Sequence, residues 1–372
     1  MVMKGYDGMI TVAKAPGKLY IAGEYAVVES GYPAIIVALD QFVTATISPS
    51  ETIGSIVSEQ YQENSIVWRR QGDAMVFDNR DNPFHYILAA INLTESYAHE
   101  LGRELGVYHL GINSELDSAD GKKYGLGSSA AVTVATVKAL CQFYHLPMDK
   151  NKLFKLAAIA HLSVQGNGSL GDIAASVYGG WIAYHSFDRQ WLHLQQAQSS
   201  LSDLLTMPWP DLKIELLTPP AALRLMIGWT GSPASTSHLV DKVALVKAKQ
   251  RSEYQTFLKA SKACLKRMIT GFHHSDLHVI QTELRTNRQL LQKLGDFSHV
   301  TIETPLLQRM IQLAESAGAA AKTSGAGGGD CGIVLIDQTI DPRPLLTAWA
   351  HDGIEQLNLN VHTVQDTVLP NS

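Results

Sequence analysis

The sequence predicts a two-domain protein that mixes helices and strands. The chain has 372 residues, more than one ordinary domain needs. Strand-like and helix-like segments alternate in both halves, which indicates an α+β or α/β architecture. A Pro-Pro pair within LTPPAALRLMIGWTGSPAST interrupts two strand-like runs. We therefore predict one domain over residues 1–218 and a second over residues 219–372.

The composition is that of a protein with a large apolar core. Hydrophobic residues make up 45% of the chain and charged residues 17%. A net charge of -5, from 30 basic and 35 acidic residues, argues against nucleic acid as the main partner. The three cysteines show no metal or disulfide spacing, which fits a reducing compartment. Without a signal-peptide pattern or a long apolar run, the sequence predicts a cytoplasmic protein with no membrane partner.

The first half of the chain is predicted to begin with strands. MITVAK at 9–14 and KLYIAG at 18–23 predict two short strands joined by a Pro-Gly turn. YPAIIVALDQFVTATIS at 32–48 predicts strands broken by a turn. Further on, the spacing of apolar residues predicts helices and strands in alternation. The helices are expected at 84–103, after the glycine loop at 125–129, and at 150–165; the strands are expected at 106–116 and 179–187.

The second half is predicted to be richer in long helices. The segments HLVDKVALVKAKQ and QTELRTNRQLLQKLG place such helices within 235–295. TPLLQRMIQLAESAG at 304–318 predicts another helix. The run AAKTSGAGGGDCGIVLI at 320–336 then predicts a loop followed by a strand.

A glycine–serine loop runs directly into a helix-forming segment in YGLGSSAAVTVATVKAL at 124–140. Gly125 and Gly127 permit positive φ angles and a close approach of the backbone. Ser128 and Ser129 can cap the helix, whose first N–H groups attract an anion. The P-loop pattern G-x-x-x-x-G-K-[ST] is absent, because no lysine follows the glycine. An anion site and an ordinary serine-capped turn are both open for this stretch alone.

Two more stretches combine glycine with charged residues. KTSGAGGGDCGIVLI at 322–336 crowds glycines ahead of a strand, as where a backbone touches a ligand or another backbone. APGKLYIAGEYAVV at 15–28 places Lys18 between a turn and an apolar strand, with Glu24 and Tyr25 after a glycine. The structural alternatives are a flexible surface turn and a lysine whose ammonium group reaches solvent.

A fourth stretch, GNGSLGDIAAS at 166–176, places Asp172 after a turn of small residues and before a helical segment. Asp172 can be a catalytic carboxylate or simply the N-cap of that helix. The stretch alone favours neither role.

Together these stretches resemble the motifs of the GHMP kinase superfamily, which includes galactokinase, homoserine kinase and mevalonate kinase. APGKLYIAGEYAVV resembles motif one, GLGSSAA motif two and KTSGAGGGD motif three, in the family's order. The resemblance spans nearly the whole chain. It implies an α+β fold of two domains, with an N-terminal half like ribosomal S5 domain 2 and a ferredoxin-like C-terminal half. It also implies ATP, with its phosphates on the motif-two loop and helix.

The narrower resemblance is to the bacterial phosphomevalonate kinases, through GKLYIAGEY, KKYGLGSSAAV, GNGSLGDIAAS and GWTGSPAST. It implies ATP-dependent phosphorylation of 5-phosphomevalonate to 5-diphosphomevalonate, in the mevalonate route to isoprenoids. Residues expected to bind ATP are Lys123, Gly125, Leu126, Gly127, Ser128, Ser129 and Ala130. Residues expected to bind the acceptor are Lys18, Tyr20, Glu24, Tyr25, Ser169, Gly231, Ser232, Ser235, Thr236, Gly325, Ala326, Gly327, Gly328 and Asp330.

Two other functions stay open at this point. One is mevalonate kinase or another small-molecule kinase of the superfamily, which differs in its acceptor. The other is a non-catalytic binding or regulatory protein with the same fold. The oligomeric state is open as well.

The sequence departs from the family pattern where a metal ligand is expected. Mevalonate kinase carries a Mg²⁺-binding glutamate about three helical turns before its catalytic aspartate. Here that position falls near His161, and AAIAHLSVQ contains no carboxylate. Because Mg²⁺ prefers oxygen ligands and keeps waters, we expect Ser128 or Ser129, phosphate oxygens and water to hold it. A second departure is Gly121, which stands where the family often has a proline.

The resemblance implies that Lys18 and Asp172 act in the transfer step. A phosphate monoester has a second pKa of about 6 and is mostly dianionic at neutral pH, so Asp172 has little proton to remove. We expect Lys18 to reach the transferring phosphoryl group, and Asp172 to orient Lys18 and the acceptor. Donors for the acceptor phosphate are expected from 228–236 and from Lys122 and Lys123; solvated turns are the alternative for these lysines.

Overall fold

The computed structural model describes residues 9–59, 65–77, 83–116, 124–231, 239, 241–245 and 250–363. These residues group into two compact units. The first contains the described residues of Met1–Gly17, Gln41–Val177 and Phe187–Leu212, and the second those of Lys18–Asp40, Tyr178–Ser186 and Lys213–Ser372. This grouping does not follow chain order, and the predicted domain boundary between 218 and 219 stays a prediction.

Strands and helices both occur throughout the described chain. The strands are β1 (Thr11–Ala22), β2 (Pro33–Ser50), β3 (Gly54–Ser58), β4 (Ile66–Gln71), β5 (Ala74–Phe77), β6 (Val107–Ser114), β7 (Trp181–His185), β8 (Lys213–Leu217), β9 (Leu223–Trp229), β10 (Ala320–Thr323), β11 (Cys331–Asp337) and β12 (Glu355–Leu357). The helices are α1 (His85–Glu100), α2 (Ser128–Phe143), α3 (Lys150–Gln165), α4 (Gly171–Tyr178), α5 (Arg189–Gln196), α6 (Leu201–Thr206), α7 (Arg251–His273), α8 (Leu277–Ser298), α9 (Pro305–Ser316) and α10 (Arg343–His351), with a short 3-10 helix at Ala26–Val28.

Most of the elements predicted from periodicity are confirmed. α1, α3 and α9 occupy the three segments whose spacing predicts helices, and β6 and β7 occupy predicted strands. α7 and α8 are long helices within the helical region predicted for the second half. The Pro-Pro pair lies between β8 and β9, as expected.

Two predicted breaks in strands are wrong. β1 continues through Pro16 and Gly17 instead of turning there. It pairs with β2 off the main path of the sheet, and an edge position tolerates the missing N–H of proline. β2 likewise runs unbroken through Asp40. The carboxylate of Asp40 accepts hydrogen bonds from the backbone and side-chain amides of Asn360, both at 2.8 Å, so this polar residue is paired rather than placed in a turn.

A third prediction is wrong in part. Residues 320–323, read as the start of a loop, form β10. All four side chains are buried, and β10 pairs antiparallel with β11. The loop is therefore confined to residues 324–330, and the pairing of β10 with β11 fixes both of its ends.

The first unit packs helices on one face of a sheet. Its strands lie in the order β5-β4-β3-β6-β2, and only β3 and β6 among these run parallel. Along β6, Tyr108, Leu110 and Ile112 are buried while His109 and Asn113 are exposed, which is the alternation of a sheet covered on one side. α1, α2 and α3 contact one another. This packing positions the start of α2.

The second unit contains an antiparallel sheet in the order β10-β11-β9-β12. A core cluster that includes Met310 of α9, Val334 of β11 and Trp349 of α10 joins helices and strands. In the same unit, residues 33–37 of β2 pair with β7, and β7 pairs with β8. α7 packs against α8.

None of the helices in the described part of the chain combines the length and apolar character that crossing a membrane requires.

Candidate active site

The start of α2 is built to face a ligand. Gly125 (φ 77°) and Gly127 (φ 81°) both occupy the left-handed region that only glycine adopts easily. Gly127 is the N-cap, and no described side chain caps the helix. The first N–H groups of a helix have no partner within it and carry a partial positive charge. Leu126 and Ala130 are buried, so the loop is fixed while the start of the helix can receive an anion.

The beginning of motif one packs against this loop within the first unit. A Cβ at Gly17 would lie 2.7 Å from Leu116 Cδ2 and 3.1 Å from the Leu126 carbonyl oxygen. Gly17 is therefore required for close approach and not for a turn. The hydroxyl of Ser176 in α4 donates to the Pro16 carbonyl at 2.8 Å. These contacts hold together the motif-two loop, the Pro-Gly pair and the helix that carries Asp172.

Ser129 belongs to a polar cluster behind the loop. Its Oγ lies 3.2 Å from Nε2 of His161, and the His161 ring stacks on Tyr86 with a centroid distance of 4.8 Å. Burial lowers the pKa of His161, and the carboxylate of Asp172 opposes this shift. Burial and then Asp172 raise the pKa of Tyr86, whereas a hydrogen bond with Ser129 lowers it. Burial therefore favours the neutral imidazole form of His161.

Asp172 lies in the first turn of α4, after a strained turn. Leu170 has φ 62°, unusual for a residue other than glycine. The hydroxyl of Ser169 accepts a hydrogen bond from the Gly171 N–H at 3.3 Å. Oδ1 of Asp172 accepts from the Ile173 N–H at 2.9 Å. The side chain is partly exposed and acts electrostatically on both Tyr86 and His161, so it can reach a ligand on this face of the first unit.

In the second unit, Lys18 and Tyr20 lie on the same strand, with the Lys18 ammonium 5.4 Å from the centre of the Tyr20 ring. The pKa of the Cys331 thiol responds to the charges of Lys18 and Asp330. Burial and then Asp330 raise the pKa of this thiol, and the positive charge of Lys18 opposes them. The structure therefore brings Lys18 of motif one and Asp330 of motif three into the same electrostatic environment.

The glycine-rich loop of motif three has a fixed backbone. Gly325, Gly327 and Gly328 have φ angles between 76° and 78°, and Asp330 has φ 53°. A Cβ at Gly327 would meet the carbonyl oxygen of Ile302 at 2.1 Å. The Gly328 N–H donates to the same carbonyl at 2.8 Å. This loop is thus a tightly packed element, and not a flexible surface turn.

A buried ion pair anchors the loop to motif one. Nζ of Lys322 donates to Oε1 of Glu24 at 2.5 Å, and the Gly325 N–H donates to the same oxygen at 3.3 Å. Burial lowers the pKa of Lys322, and the Glu24 carboxylate counteracts this. Oε2 of Glu24 is buried with no hydrogen-bond partner among the described residues. Glu24 therefore links Lys322 to the backbone of the motif-three loop.

Two hydroxyl groups add to this anchor. The phenol of Tyr25 donates to the Ala326 carbonyl at 2.5 Å, and the hydroxyl of Ser324 donates to the Tyr20 carbonyl at 2.8 Å. Tyr25 itself has φ 63°, a strained value for an aromatic residue. Burial and then Glu24 raise the pKa of its phenol. Within the second unit, the predicted residues of motifs one and three thus form one connected structure.

Several predicted residues are not placed by the structure. Lys122, Lys123, Ser232, Ser235 and Thr236 lie outside the described residues. Gly231 is exposed, with φ 72°, at the end of a described segment. The carbonyl of Asp330 accepts from both the N–H and the hydroxyl of Thr230 at 3.0 Å, which ties motif three to the end of β9.

The residues at the start of α2 fit a metal ion only if it arrives with phosphates. Among the described residues, no group of three or more His, Cys, Asp or Glu side chains is arranged around a metal position. Ser128 and Ser129 offer two hydroxyl oxygens, and Ser129 also contacts His161. Mg²⁺ takes six oxygen ligands and keeps waters. Two hydroxyls are too few to hold it without phosphate oxygens.

Sequence reasoning missed Lys322, Tyr86 and Ser324, and it treated His161 only as a missing carboxylate. Lys322 and Ser324 stand inside the motif-three segment, so their position was a usable signal. Nothing in the local sequence pairs Tyr86 of α1 with Ser129 of α2, because that contact depends on helix packing.

Comparisons with known proteins agree with these features. The family model for the GHMP kinase N-terminal domain matches residues 85–180, and the model for the GHMP kinase C-terminal domain matches residues 262–354. A phosphomevalonate kinase of Streptomyces sp. is 37% identical over 360 residues, which cover 94% of this chain and 96% of that protein.

Solved structures show the same similarity. The crystal structure of a Listeria innocua protein matches with a TM-score of 0.90 and 40% identity, over 96% of this chain and 99% of that one. The Streptococcus pneumoniae phosphomevalonate kinase in complex with phosphomevalonate and AMPPNP matches with a TM-score of 0.82 and 32% identity, over 94% and 99%. The predicted two-domain α+β fold is confirmed, and the chain belongs to the GHMP kinase family.

Proposed function

We propose that the protein transfers the γ-phosphoryl group of ATP to 5-phosphomevalonate, forming 5-diphosphomevalonate and ADP in the mevalonate route to isoprenoids. An oxygen of the acceptor phosphate forms a bond to the γ-phosphorus, and the bond from that phosphorus to the β–γ bridging oxygen breaks. The observation that carries the proposal is the uncapped start of α2 behind two left-handed glycines. Two relatives named as phosphomevalonate kinases support the choice of acceptor.

The triphosphate of ATP is assigned to residues 125–130 at the start of α2. The backbone N–H groups there, with the dipole of the helix, suit phosphate oxygens. Lys123 is proposed as an additional cation. Mg²⁺ would be held by the phosphates together with the Ser128 and Ser129 hydroxyls. When bound, it would neutralise charge on the β- and γ-phosphates.

The acceptor is already a dianion near neutral pH, so charge is the main obstacle to the reaction. We assign to Lys18 the neutralisation of the transferring phosphoryl group, since its positive charge acts on Cys331 at the end of the motif-three loop. Asp172 serves as a positioning carboxylate for Lys18 and the acceptor. Its role as a base is secondary, because a phosphate dianion does not need to lose a proton.

Acceptor binding is assigned to residues of motif one, motif three and two further loops. They are Lys18, Tyr20, Glu24, Tyr25, Ser169, Gly231, Ser232, Ser235, Thr236, Gly325, Ala326, Gly327, Gly328 and Asp330. Glu24 and Tyr25 act through the loop that they anchor, because Oε1 of Glu24 is engaged with Lys322 and the Tyr25 hydroxyl with Ala326. The N–H groups of Gly325 and Gly328 are engaged with Glu24 and Ile302, so these glycines contribute by allowing the acceptor to approach the backbone closely.

The decisive experiment measures ADP release with a panel of acceptors under identical conditions. Phosphomevalonate is expected to support turnover, and mevalonate is expected to stay near the rate without acceptor. Turnover with mevalonate would identify a mevalonate kinase. Binding of AMPPNP without turnover of any acceptor would identify a non-catalytic protein of the same fold.

We assign this reaction to the cytoplasm. Cys141, Cys264 and Cys331 are free thiols in the described structure, which supports a reducing compartment.

A further inference from the structure

We propose that His161 is a positioning residue that fixes the hydroxyl of Ser129 so that this hydroxyl can donate to a phosphate of the bound nucleotide. The inference rests on the proposed function, because it assigns the nucleotide to the start of α2. His161 stands near the position where the GHMP kinase family pattern predicts a carboxylate.

The burial of His161 determines which of its nitrogens carries the proton. The residue is 1% exposed, and Nδ1 is buried with no hydrogen-bond partner among the described residues. A buried N–H without an acceptor is rarer in proteins than a buried acceptor without a donor. The proton is therefore assigned to Nε2, which lies 3.2 Å from Oγ of Ser129 and donates to it.

The direction of this hydrogen bond determines which atoms donate and accept in the neighbouring side chains. Because Ser129 accepts from His161, its own O–H is left to donate, and Tyr86 is the neighbour that shares a hydrogen bond with it. The phenol of Tyr86 donates in turn to Oε1 of Gln165 at 3.3 Å. The side-chain amide of Gln165 then donates to Asn167 Oδ1 at 3.1 Å. Each of these four hydrogen bonds has one donor and one acceptor, so the series is consistent with a single set of proton positions.

An imidazole and a carboxylate would prepare Ser129 in opposite ways. An ionised carboxylate can only accept hydrogen bonds, so it would accept the one that the Ser129 hydroxyl donates. The Nε2–H of His161 instead occupies a lone pair of Ser129 and leaves the hydroxyl proton available. When a triphosphate binds, the Ser129 hydroxyl can donate to a charged phosphate oxygen instead of to Tyr86, because the phosphate oxygen is the stronger acceptor. His161 thereby assists nucleotide binding without touching the nucleotide.

The test compares substitutions that keep or lose a donor at the Nε2 position. His161→Gln can place its amide N–H near that position, whereas His161→Asn is too short and His161→Leu has no donor. The probe is AMPPNP with excess Mg²⁺, and the readout is its dissociation constant by calorimetry. We expect His161→Leu and His161→Asn to weaken binding about tenfold, the size of effect one hydrogen bond can have. His161→Gln is expected to stay within about twofold of the wild type.

A double-mutant cycle with Ser129→Ala distinguishes positioning from general support of the fold. Once the Ser129 hydroxyl is gone, His161→Leu is expected to change AMPPNP affinity by less than about twofold. Thermal unfolding of each variant shows whether it is folded. If His161→Leu does not fold, the Gln and Asn pair carries the test, since both are polar and close in size.

Additive effects of His161→Leu and Ser129→Ala would overturn the proposal. So would equal losses for Gln and Asn, or unchanged affinity in all three His161 variants. Failure of the proposed function has a different signature. If the wild type binds AMPPNP but no acceptor supports ADP release, the kinase assignment fails and the role of His161 in nucleotide binding is still decided by the affinities.

Discussion

Lys322 and Glu24 are separated by 298 positions in the chain, yet they form an ion pair whose side chains are only 0% and 3% exposed. The pair lies directly beneath the motif-three loop, because Glu24 also accepts from the Gly325 N–H. Nζ of Lys322 additionally donates to the Thr323 carbonyl at 2.6 Å. The Lys322–Glu24 ion pair therefore holds the motif-three backbone, which we propose binds the acceptor.

Lys322→Met is expected to destabilise the protein by about 3–5 kcal/mol, because it leaves the Glu24 carboxylate buried without its partner. The double variant Lys322→Met with Glu24→Leu removes both charges and is expected to be more stable than the single variant. Urea unfolding measures both. Exposed Lys259 on α7 provides the control, and Lys259→Met should change stability by no more than about 0.5 kcal/mol. A double variant less stable than the single one would show that the pair is not the cause.

Gly327→Ala should be far more harmful than Gly325→Ala, although both glycines have nearly the same φ, 78° and 76°. At Gly325 a Cβ meets open space, so only the backbone strain of about 1–2 kcal/mol applies. At Gly327 the Cβ would collide with the Ile302 carbonyl, and the loop must move. We expect an additional loss of at least about 1–3 kcal/mol in urea unfolding. Equal losses in the two variants would mean that the loop is not packed as described.

Tyr25→Phe tests the raised pKa of this phenol. The ordinary pKa of a tyrosine is 10.0, and that of Tyr25 is raised in the folded protein. Above pH 10.0 the unfolded chain therefore loses the phenolic proton, while the folded protein keeps it. Stability from this group is thus complete below that pH and falls by about 1.4 kcal/mol per pH unit above it. The variant lacks this loss. Its deficit relative to the wild type, about 1 kcal/mol at neutral pH, should shrink as the pH rises beyond 10.

Urea unfolding of wild type and Tyr25→Phe at about pH 8 and about pH 11 makes this comparison. A deficit of the same size at both values would show that the Tyr25 phenol titrates alike in the folded and unfolded chains.

Lys18→Met and Asp172→Asn should affect turnover unequally. Removing the charge of Lys18 is expected to lower kcat about 10²- to 10³-fold, as for other groups that stabilise developing charge. Asp172→Asn should lose less than the roughly 10²- to 10⁴-fold of a true general base, with the pH profile of kcat unchanged. Lys14→Met, which removes an exposed lysine from the same strand, is the control and should leave kcat unchanged. A loss at Asp172 in the range of a true base, with an altered pH profile, would contradict its positioning role.

Local patterns were sufficient for much of the fold and for the candidate site's glycine loops. The helical period predicted α1, α3 and α9, and the glycines of motif two indicated the positive φ angles found at Gly125 and Gly127. The turn predicted at the Pro-Gly pair of β1 was wrong, because proline and glycine next to each other are typical of turns. Whether Pro16 can stay in a strand depends on which side of that strand is paired, which is a property of the whole sheet.

The support beneath the site was the part that could not be read from the sequence. An ion pair between Glu24 and Lys322 requires that two distant segments be buried together, and no periodicity reports that. For His161 the sequence showed only that a carboxylate is missing. Its role as a donor to Ser129 depends on burial and on the orphaned Nδ1, which only the packed structure reveals.

The measurement that tests the central claim most directly is initial-rate ADP release with ATP and Mg²⁺, comparing phosphomevalonate with mevalonate at equal concentrations. The proposed function predicts release that depends on phosphomevalonate and reaches no more than the acceptor-free rate with mevalonate. ADP release with mevalonate that equals or exceeds release with phosphomevalonate would contradict it, as would the absence of release with both acceptors.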